Sequence, residues 1–207
     1  MKNTNYTTYS YEASIKQKYL KLIFGIAICL VILVADILIG PAWLTISETI
    51  SSILRQPDVS ATTRVIVWTI RFPAALMALG VGAALGLSGA GMQTILDNPL
   101  ASPYTLGISA GAGFGAALAI VTGASSLNIV GQYIVPVTAF SFAFLTSMII
   151  YFTGRLKKLT PETMILTGIA LSFLFQALQS LLQYIASPEV LQSIVFWLFG
   201  SLSKATW

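Results

Sequence analysis

The sequence contains no histidine and one cysteine, and only 9% of its 207 residues are charged. Histidine is the commonest general base in enzymes and a frequent metal ligand, so its absence argues against most hydrolytic and metal-binding sites. The lone Cys29 has no second cysteine with which to form an intramolecular disulfide. The few basic residues are scattered and form no clustered patch, which argues against nucleic acid as a partner. We expect neither a metal site nor a nucleic-acid-binding face.

Two patterns associated with catalysis or nucleotide binding are incomplete in this chain. Gly86-Leu87-Ser88-Gly89 matches the GxSG pattern of intramembrane serine proteases, but such a protease pairs its serine with a histidine. Ser88 is therefore interpreted as a small packing residue. The phosphate-binding loop G-x-x-x-x-G-K-[ST] is absent, so the chain has no ATP-binding motif of its own. The sequence predicts a protein that is not an enzyme, and an intramembrane hydrolase is the least favoured function.

Long hydrophobic segments dominate what remains. Hydrophobic residues make up 56% of the chain, and the mean hydropathy is +0.84. Five apolar segments each have the ~20-residue length needed to cross a hydrocarbon layer of about 30 Å. They cover residues 20–39, 73–92, 104–121, 132–153 and 164–185. We predict an all-α, polytopic transmembrane helical bundle in residues 20–207, preceded by a flexible cytoplasmic tail in residues 1–19.

Lysine and arginine beside the spans indicate the orientation of the chain. Cytoplasmic flanks of membrane proteins carry an excess of these residues. They occur before the first span and after the fourth, as Lys16, Lys18, Lys21, Arg155, Lys157 and Lys158. Arg55, Arg64 and Arg71 count against this assignment but are fewer. The sequence predicts a multi-pass protein of the cytoplasmic membrane with its N-terminus in the cytoplasm.

Glycines recur at four-residue spacing in the second and third spans. Gly82 and Gly86 form one ladder, and Gly107, Gly111 and Gly115 form another. Small residues at this spacing allow membrane helices to approach closely. We predict that all five lie in helix contacts.

The loop between these two spans is predicted to be a shaped turn. Asn98-Pro99 and Ser102-Pro103 disfavour helix, because the residue before a proline is pushed toward extended conformations. Gln93 and Asn98 are expected to satisfy backbone groups left free at the helix ends, since lipid offers no partner for them.

The fifth span carries a stripe of polar side chains on one helical face. Ser172, Gln176, Gln179 and Gln183 follow one another at spacings of four, three and four. Unpaired amides are costly in lipid, so these residues are expected to face protein or water. Two interpretations remain open: hydrogen bonds between helices, or the lining of a route for a polar solute.

Two further segments have the signature of a helix start. Thr160-Pro161-Glu162 and Ser187-Pro188-Glu189 each place a hydroxyl at the N-cap, a proline at the first helical position and an acid in the first turn. The second of these helices is too short to cross a membrane. We expect it to lie at the interface, with Trp197 as an anchor and Gly200 at its end.

Six segments of the chain form one ordered set of motifs: Ile70-Arg71-Phe72-Pro73, VGAALGLSGAGMQ from residue 81, Asn98 to Pro103, Leu106 to Ala112, Leu166 to Leu171, and Phe196 to Ser201. In order and spacing this set resembles the FecCD-type permease subunits of bacterial ABC importers for ferric siderophores, haem and cobalamin. The resemblance assigns the loop residues Gln93, Asn98, Pro99, Leu100, Ala101 and Pro103 to a family signature.

This resemblance implies a permease that works as a dimer, as a homodimer or a heterodimer, with ten-span protomers. A cytoplasmic ABC ATPase would bind ATP and Mg²⁺, and an extracytoplasmic substrate-binding protein would deliver the solute. By the same resemblance Arg71 would dock the binding protein, although the second arginine common in the family is replaced by Ala74. The polar stripe would line the translocation pathway, and Thr160, Pro161 and Glu162 would narrow its cytoplasmic exit.

The length of the sequence departs from the family. A ten-span permease continues well beyond position 207, so we expect this chain to be a fragment or a truncated reading frame. The alternative function is a non-transporting membrane scaffold formed by the shortened chain. Which iron complex or cobalamin is carried is not encoded in these motifs.

Overall fold

The computed structural model describes residues 4–40, 42–123, 128–156 and 160–207. Across these ranges the secondary structure is helical, without β-strands. The helices are α1 (Thr4–Leu38), α2 (Ile46–Ile53), α3 (Ala61–Val65), a π-helical segment (Ile66–Arg71), α4 (Phe72–Ile95), α5 (Ile108–Val121), α6 (Asn128–Leu156), α7 (Pro161–Ile185) and α8 (Pro188–Phe199). The predicted all-α bundle is confirmed.

Four helical stretches have the length and composition of membrane spans: Ile15–Leu38, Ala61–Ile95, Tyr133–Leu156 and Pro161–Ile185. The predicted third span is shorter than expected, because only Ile108–Val121 is helical there. Fourteen residues of α-helix rise about 21 Å, which is less than the hydrocarbon thickness of about 30 Å. The residues before α5 that looked like part of a span instead belong to a packed loop.

The first helix begins earlier than predicted. α1 starts at Thr4 and runs for 35 residues, so residues 4–19 of the predicted flexible tail are continuous with the first span. Extending an existing helix fixes one residue for each hydrogen bond gained, whereas nucleating one is costly. The long apolar part of α1 therefore provides a template on which the polar segment continues as helix.

The chain divides into two compact units, and the first comprises Met1–Gly80 with Leu202–Trp207. Helix α2 starts with a capping box in which Glu48 accepts hydrogen bonds from the backbone N–H and the hydroxyl of Thr45, both at 2.8 Å. These bonds lower the pKa of the Glu48 carboxyl. Trp68 stacks on Phe72 with ring centroids 4.9 Å apart, and its indole donates to the Ser52 carbonyl. The π-helical segment is thereby attached to α2.

The second unit, Val81–Ser201, is built around α5. The short helix packs against α6, α7 and α8, and its alanines form the centre of one apolar core. A second core is formed by Leu96, Ala101 and Leu106 of the loop that precedes α5, packed with Ile150 of α6. Burial of α5 on several sides explains why its sequence is small and apolar around its whole circumference, rather than on one face.

Glycine leaves room for close approach of α5 to its neighbours at the second ladder. A Cβ built on Gly115 would lie 2.7 Å from the Thr138 carbonyl oxygen on α6, and one built on Gly111 would overlap Thr146 Oγ1. Gly107 has a φ of 75° and faces the Gly168 carbonyl on α7. Gly82 and Gly86 differ, since a Cβ at either position meets no described atom within 4 Å. Their role in packing stays a prediction.

Candidate functional site

A cavity of about 660 Å³ lies in the second unit between the start of α5, the length of α7 and Leu198 of α8. Its polar lining comes from two sides: Tyr104, Thr105 and Ser109 on one, and Ser172, Gln176 and Gln179 on the other. The rest of the described lining is aliphatic or aromatic, and none of the described residues that line the cavity is charged. The cavity can therefore offer hydrogen bonds and apolar contact to a solute, without a fixed charge.

Helix α7 presents its side of the cavity through its regular period. The helix starts as predicted, with the Thr160 hydroxyl accepting from the Thr163 N–H at 3.3 Å and with Pro161 in the first turn. From this fixed start, positions 165, 169, 172, 176 and 179 fall on one face and line the cavity. Thr160 and Glu162 are exposed and lie about one turn before the first lining residue. A role for Thr160, Pro161 and Glu162 in closing the pathway stays a prediction.

The stripe amides have no hydrogen-bond partner within the part of the chain that the structure describes. Gln176 is exposed, while Gln179 and Gln183 are half-buried. Ser172 differs, because its hydroxyl donates to the Gly168 carbonyl at 2.8 Å within α7. Gln183 belongs to the stripe but does not line the cavity. The first interpretation, hydrogen bonds between helices, is thus not realised among these residues.

The opposite wall is held by the loop that carries the signature residues. The Asn98 side chain accepts from the Leu100 N–H at 2.9 Å, and the Ala101 N–H donates to the Asn98 carbonyl. Asn98 therefore satisfies backbone groups of the loop itself. Gln93 acts through its backbone carbonyl, which accepts from the Asn98 N–H at 3.1 Å. The shaped turn that the prolines predicted is present.

The last turn of this loop places the hydroxyl groups of Tyr104 and Thr105 at the cavity. Ser102 and Thr105 bond each other's backbone N–H groups through their side chains, at 2.9 and 3.2 Å. Leu106 is buried, and Gly107 adopts the left-handed conformation at the start of α5. Sequence reasoning did not select Tyr104, Thr105 or Ser109. The spacing of four between Thr105 and Ser109 was the available signal.

Arg71 occupies a different environment from the one expected of a docking residue. Its side chain is 8% exposed, and its guanidinium donates to the carbonyls of Ile37, Leu38 and Ala42 at 2.9–3.0 Å. Gly40 lies directly beneath it, since a Cβ there would be 2.8 Å from the guanidinium carbon. The guanidinium caps the end of α1. Docking by Arg71 stays a prediction, and it requires these bonds to be shared or released.

Ser88 shows no feature of a nucleophile. It is exposed in α4, and its hydroxyl donates to the Leu85 carbonyl at 3.1 Å within the same helix. Among the described residues, no cluster of three or more cysteine, aspartate or glutamate side chains could hold a metal ion.

Comparison with known proteins finds relatives that are named as permease proteins. The model of the FecCD transport family matches residues 28–207. The chain is 38% identical over 199 residues to an ABC transporter permease protein of Methanocaldococcus jannaschii, covering 90% of this chain and 56% of the relative. It is 37% identical over 195 residues to the molybdate import system permease protein MolB of Haemophilus influenzae, covering 91% and 56%.

A solved structure and a third relative extend the comparison. The chain matches a metal-chelate type ABC transporter, solved in an inward-facing conformation, with a TM-score of 0.72 and 37% identity over 91% of this chain and 56% of that one. It is 32% identical over 186 residues to the vitamin B12 import system permease protein BtuC of Klebsiella pneumoniae, covering 89% and 52%. The chain spans about half the length of the curated relatives it matches.

These relatives are membrane subunits of ABC transporters, and the resemblance read from the sequence is confirmed. With a family model that matches most of its length and a solved relative of the same fold, the chain belongs to the FecCD transport family.

Proposed function

We propose that this chain forms the membrane-spanning part of a permease in an ATP-driven importer, and that the solute is an iron–siderophore complex or a chemically similar chelate. Relatives named for iron chelatin, vitamin B12 and molybdate import support the class of transporter. The observation that carries the proposal is the cavity, because a membrane-length helix there exposes unpaired amides to open space. Such amides are costly in lipid but suited to a polar solute.

The chemistry of the lining agrees with a chelated solute. Amides and hydroxyls hydrogen-bond the oxygen- and nitrogen-rich surface of a chelate, and among the described residues the lining contains no carboxylate, imidazole or thiol that would compete for its metal. The metal is cargo, held by its own ligands. Cobalamin, haem and molybdate are the alternatives for the same conduit.

The proposal includes the orientation and the partners. The N-terminus lies in the cytoplasm, where a partner ABC ATPase binds ATP and Mg²⁺. A second permease subunit completes the pathway, and an extracytoplasmic binding protein delivers the solute to the opposite side. The start of α7, with Thr160, Pro161 and Glu162, then lies at the cytoplasmic end of the cavity.

Removing the amides of the pathway is expected to slow uptake. In the assembled importer, Gln176→Leu and Gln179→Leu each lose hydrogen bonds with a net worth of about 0.5–1.5 kcal/mol, which corresponds to a roughly 2- to 13-fold fall in uptake. The measurement is ATP-dependent uptake into proteoliposomes with a panel of ferric siderophores, haem, cobalamin and molybdate.

Gln192→Leu is the matched control, because Gln192 is an exposed amide on α8 that does not line the cavity. Its uptake should equal that of the unmodified protein. Normal uptake by both pathway variants would refute the assignment of the cavity. ATP-dependent uptake of none of these solutes by the unmodified complex would favour the scaffold alternative.

A further inference from the structure

One glycine of α5 lies outside the four-residue ladder and borders the pathway. Gly113 is buried, and a Cβ built on it would sit 2.8 Å from Gln179 Oε1 and 3.0 Å from Leu198 Cδ2. Both Gln179 and Leu198 line the cavity. Gly113 therefore faces α7 and α8, whereas the nearest atoms to Gly111 and Gly115 belong to Thr146, Phe142 and Thr138 of α6, with Phe175 of α7 slightly farther from Gly111.

The atoms around Gly113 differ in kind from those around the ladder glycines. At Gly115 an added methyl group would meet the carbonyl oxygen of Thr138, which cannot move without the helix. At Gly113 it would meet the free ends of two side chains. A methyl group at position 113 would therefore displace the Gln179 amide, while α5 and α7 could keep their positions.

Packing alone determines where the Gln179 amide lies. The side chain is half-buried and has no hydrogen-bond partner within the described residues, so no polar contact of this chain fixes its rotamer. The space over Gly113 admits the amide against α5. Any larger residue would push it toward the cavity and reduce the open cross-section.

We infer that Gly113 is a positioning residue for Gln179: its missing side chain lets the amide rest against α5, which sets both the width of the cavity and the place where a solute meets the amide. This inference rests on the proposed function, because it concerns the same cavity. It adds a residue that neither the four-residue spacing nor the polar stripe identifies.

Three variants of the assembled importer test the inference: Gln179→Ala, Gly113→Ala, and the two combined. Gly113→Ala is expected to change the KM for uptake by at least threefold and to alter the ratio of rates between a large and a small solute of the panel. The double variant should match Gln179→Ala, because the added methyl group no longer has an amide to displace. Non-additive effects of this kind identify residues that act through one another.

Gly25→Ala is the control for a glycine-to-alanine change in a helix, since a Cβ there meets no described atom within 4 Å. It should behave as the unmodified protein. An impaired Gln179→Ala beside unchanged kinetics of Gly113→Ala would overturn this inference and leave the pathway assignment intact. Normal uptake by Gln179→Ala would also overturn this inference, and the pathway assignment would fall with it only if uptake by Gln176→Leu were normal as well. If Gly113→Ala impairs assembly equally with and without Gln179, then Gly113 is needed for packing against Leu198 and the inference is wrong. If the double variant assembles normally while Gly113→Ala alone does not, the result supports the inference.

Discussion

Gly168→Val is expected to destabilise the second unit strongly. A Cβ at Gly168 would lie 2.9 Å from both the Cα and the carbonyl oxygen of Leu106, so even the first added carbon meets backbone. Valine adds two more methyl groups at a contact where neither side can rotate away. Overpacking of a well-filled site costs about 1–3 kcal/mol and occasionally more, and we place this substitution at the upper end, near 3 kcal/mol.

The same contact constrains Gly107 from the other side. Its Cβ would lie 2.6 Å from the Gly168 carbonyl oxygen, and its φ of 75° is in the left-handed region that favours glycine. The two glycines let the turn before α5 rest directly on α7. Loss of this contact would separate the two walls of the cavity.

Membrane accumulation and the thermal unfolding midpoint of the detergent-purified importer measure the effect. Gly25→Val is the matched control, because Gly25 lies in a membrane-length helix with free space around it. An unfolding midpoint of Gly168→Val within a degree or two of the control would contradict the argument. Loss in both variants would indicate that valine in these helices is harmful for reasons unrelated to the contact.

The starts and ends of α7 and α8 were predicted well from the sequence. Thr160 and Ser187 cap α7 and α8 as expected, and Gly200 ends α8 with a φ of 72°. These features depend on residues within one turn of each other, so they can be recognised without knowledge of the tertiary structure. The register of the polar stripe on α7 followed from the helical period for the same reason.

Contacts between distant segments were the part that could not be predicted. Leu96, Ala101 and Leu106 are apolar whether they face lipid or a core, and hydropathy alone could not show that these loop residues pack with Ile150 of α6. The partners of Gly113 lie on α7 and α8, more than 60 positions away, so no spacing rule relates them. The family resemblance assigned Arg71 to docking, and no local pattern showed that its guanidinium would bond carbonyls at the end of α1.

Arg71→Met is expected to be the second most damaging substitution. The carbonyls of Ile37 and Leu38 are among the last four of α1, which have no partner within the helix. The Arg71 guanidinium donates hydrogen bonds to both carbonyls. Its positive charge is also stabilised by the negative end of the α1 helix dipole. Methionine fills similar space but leaves the buried Ile37 carbonyl and two part-buried carbonyls without this donor, and a buried acceptor without a partner costs about 1–3 kcal/mol. We expect a loss of roughly 3 kcal/mol, seen as a lower unfolding midpoint and reduced accumulation.

Arg71→Lys separates this capping role from docking. Lysine keeps the charge but presents one ammonium group in place of the planar fork that reaches three carbonyls, so stability should fall by less than with methionine.

If Arg71 also meets an acidic residue of the binding protein, Arg71→Glu should reduce binding-protein-stimulated ATPase activity far more than Arg71→Met of comparable stability, because like charges then face each other. Equal activity of these two variants would argue against docking, and an unfolding midpoint of Arg71→Met equal to that of the unmodified protein would refute the cap. Since the guanidinium is buried and bonds three carbonyls, we expect the loss of stability to account for most of the effect of Arg71→Met and of Arg71→Glu.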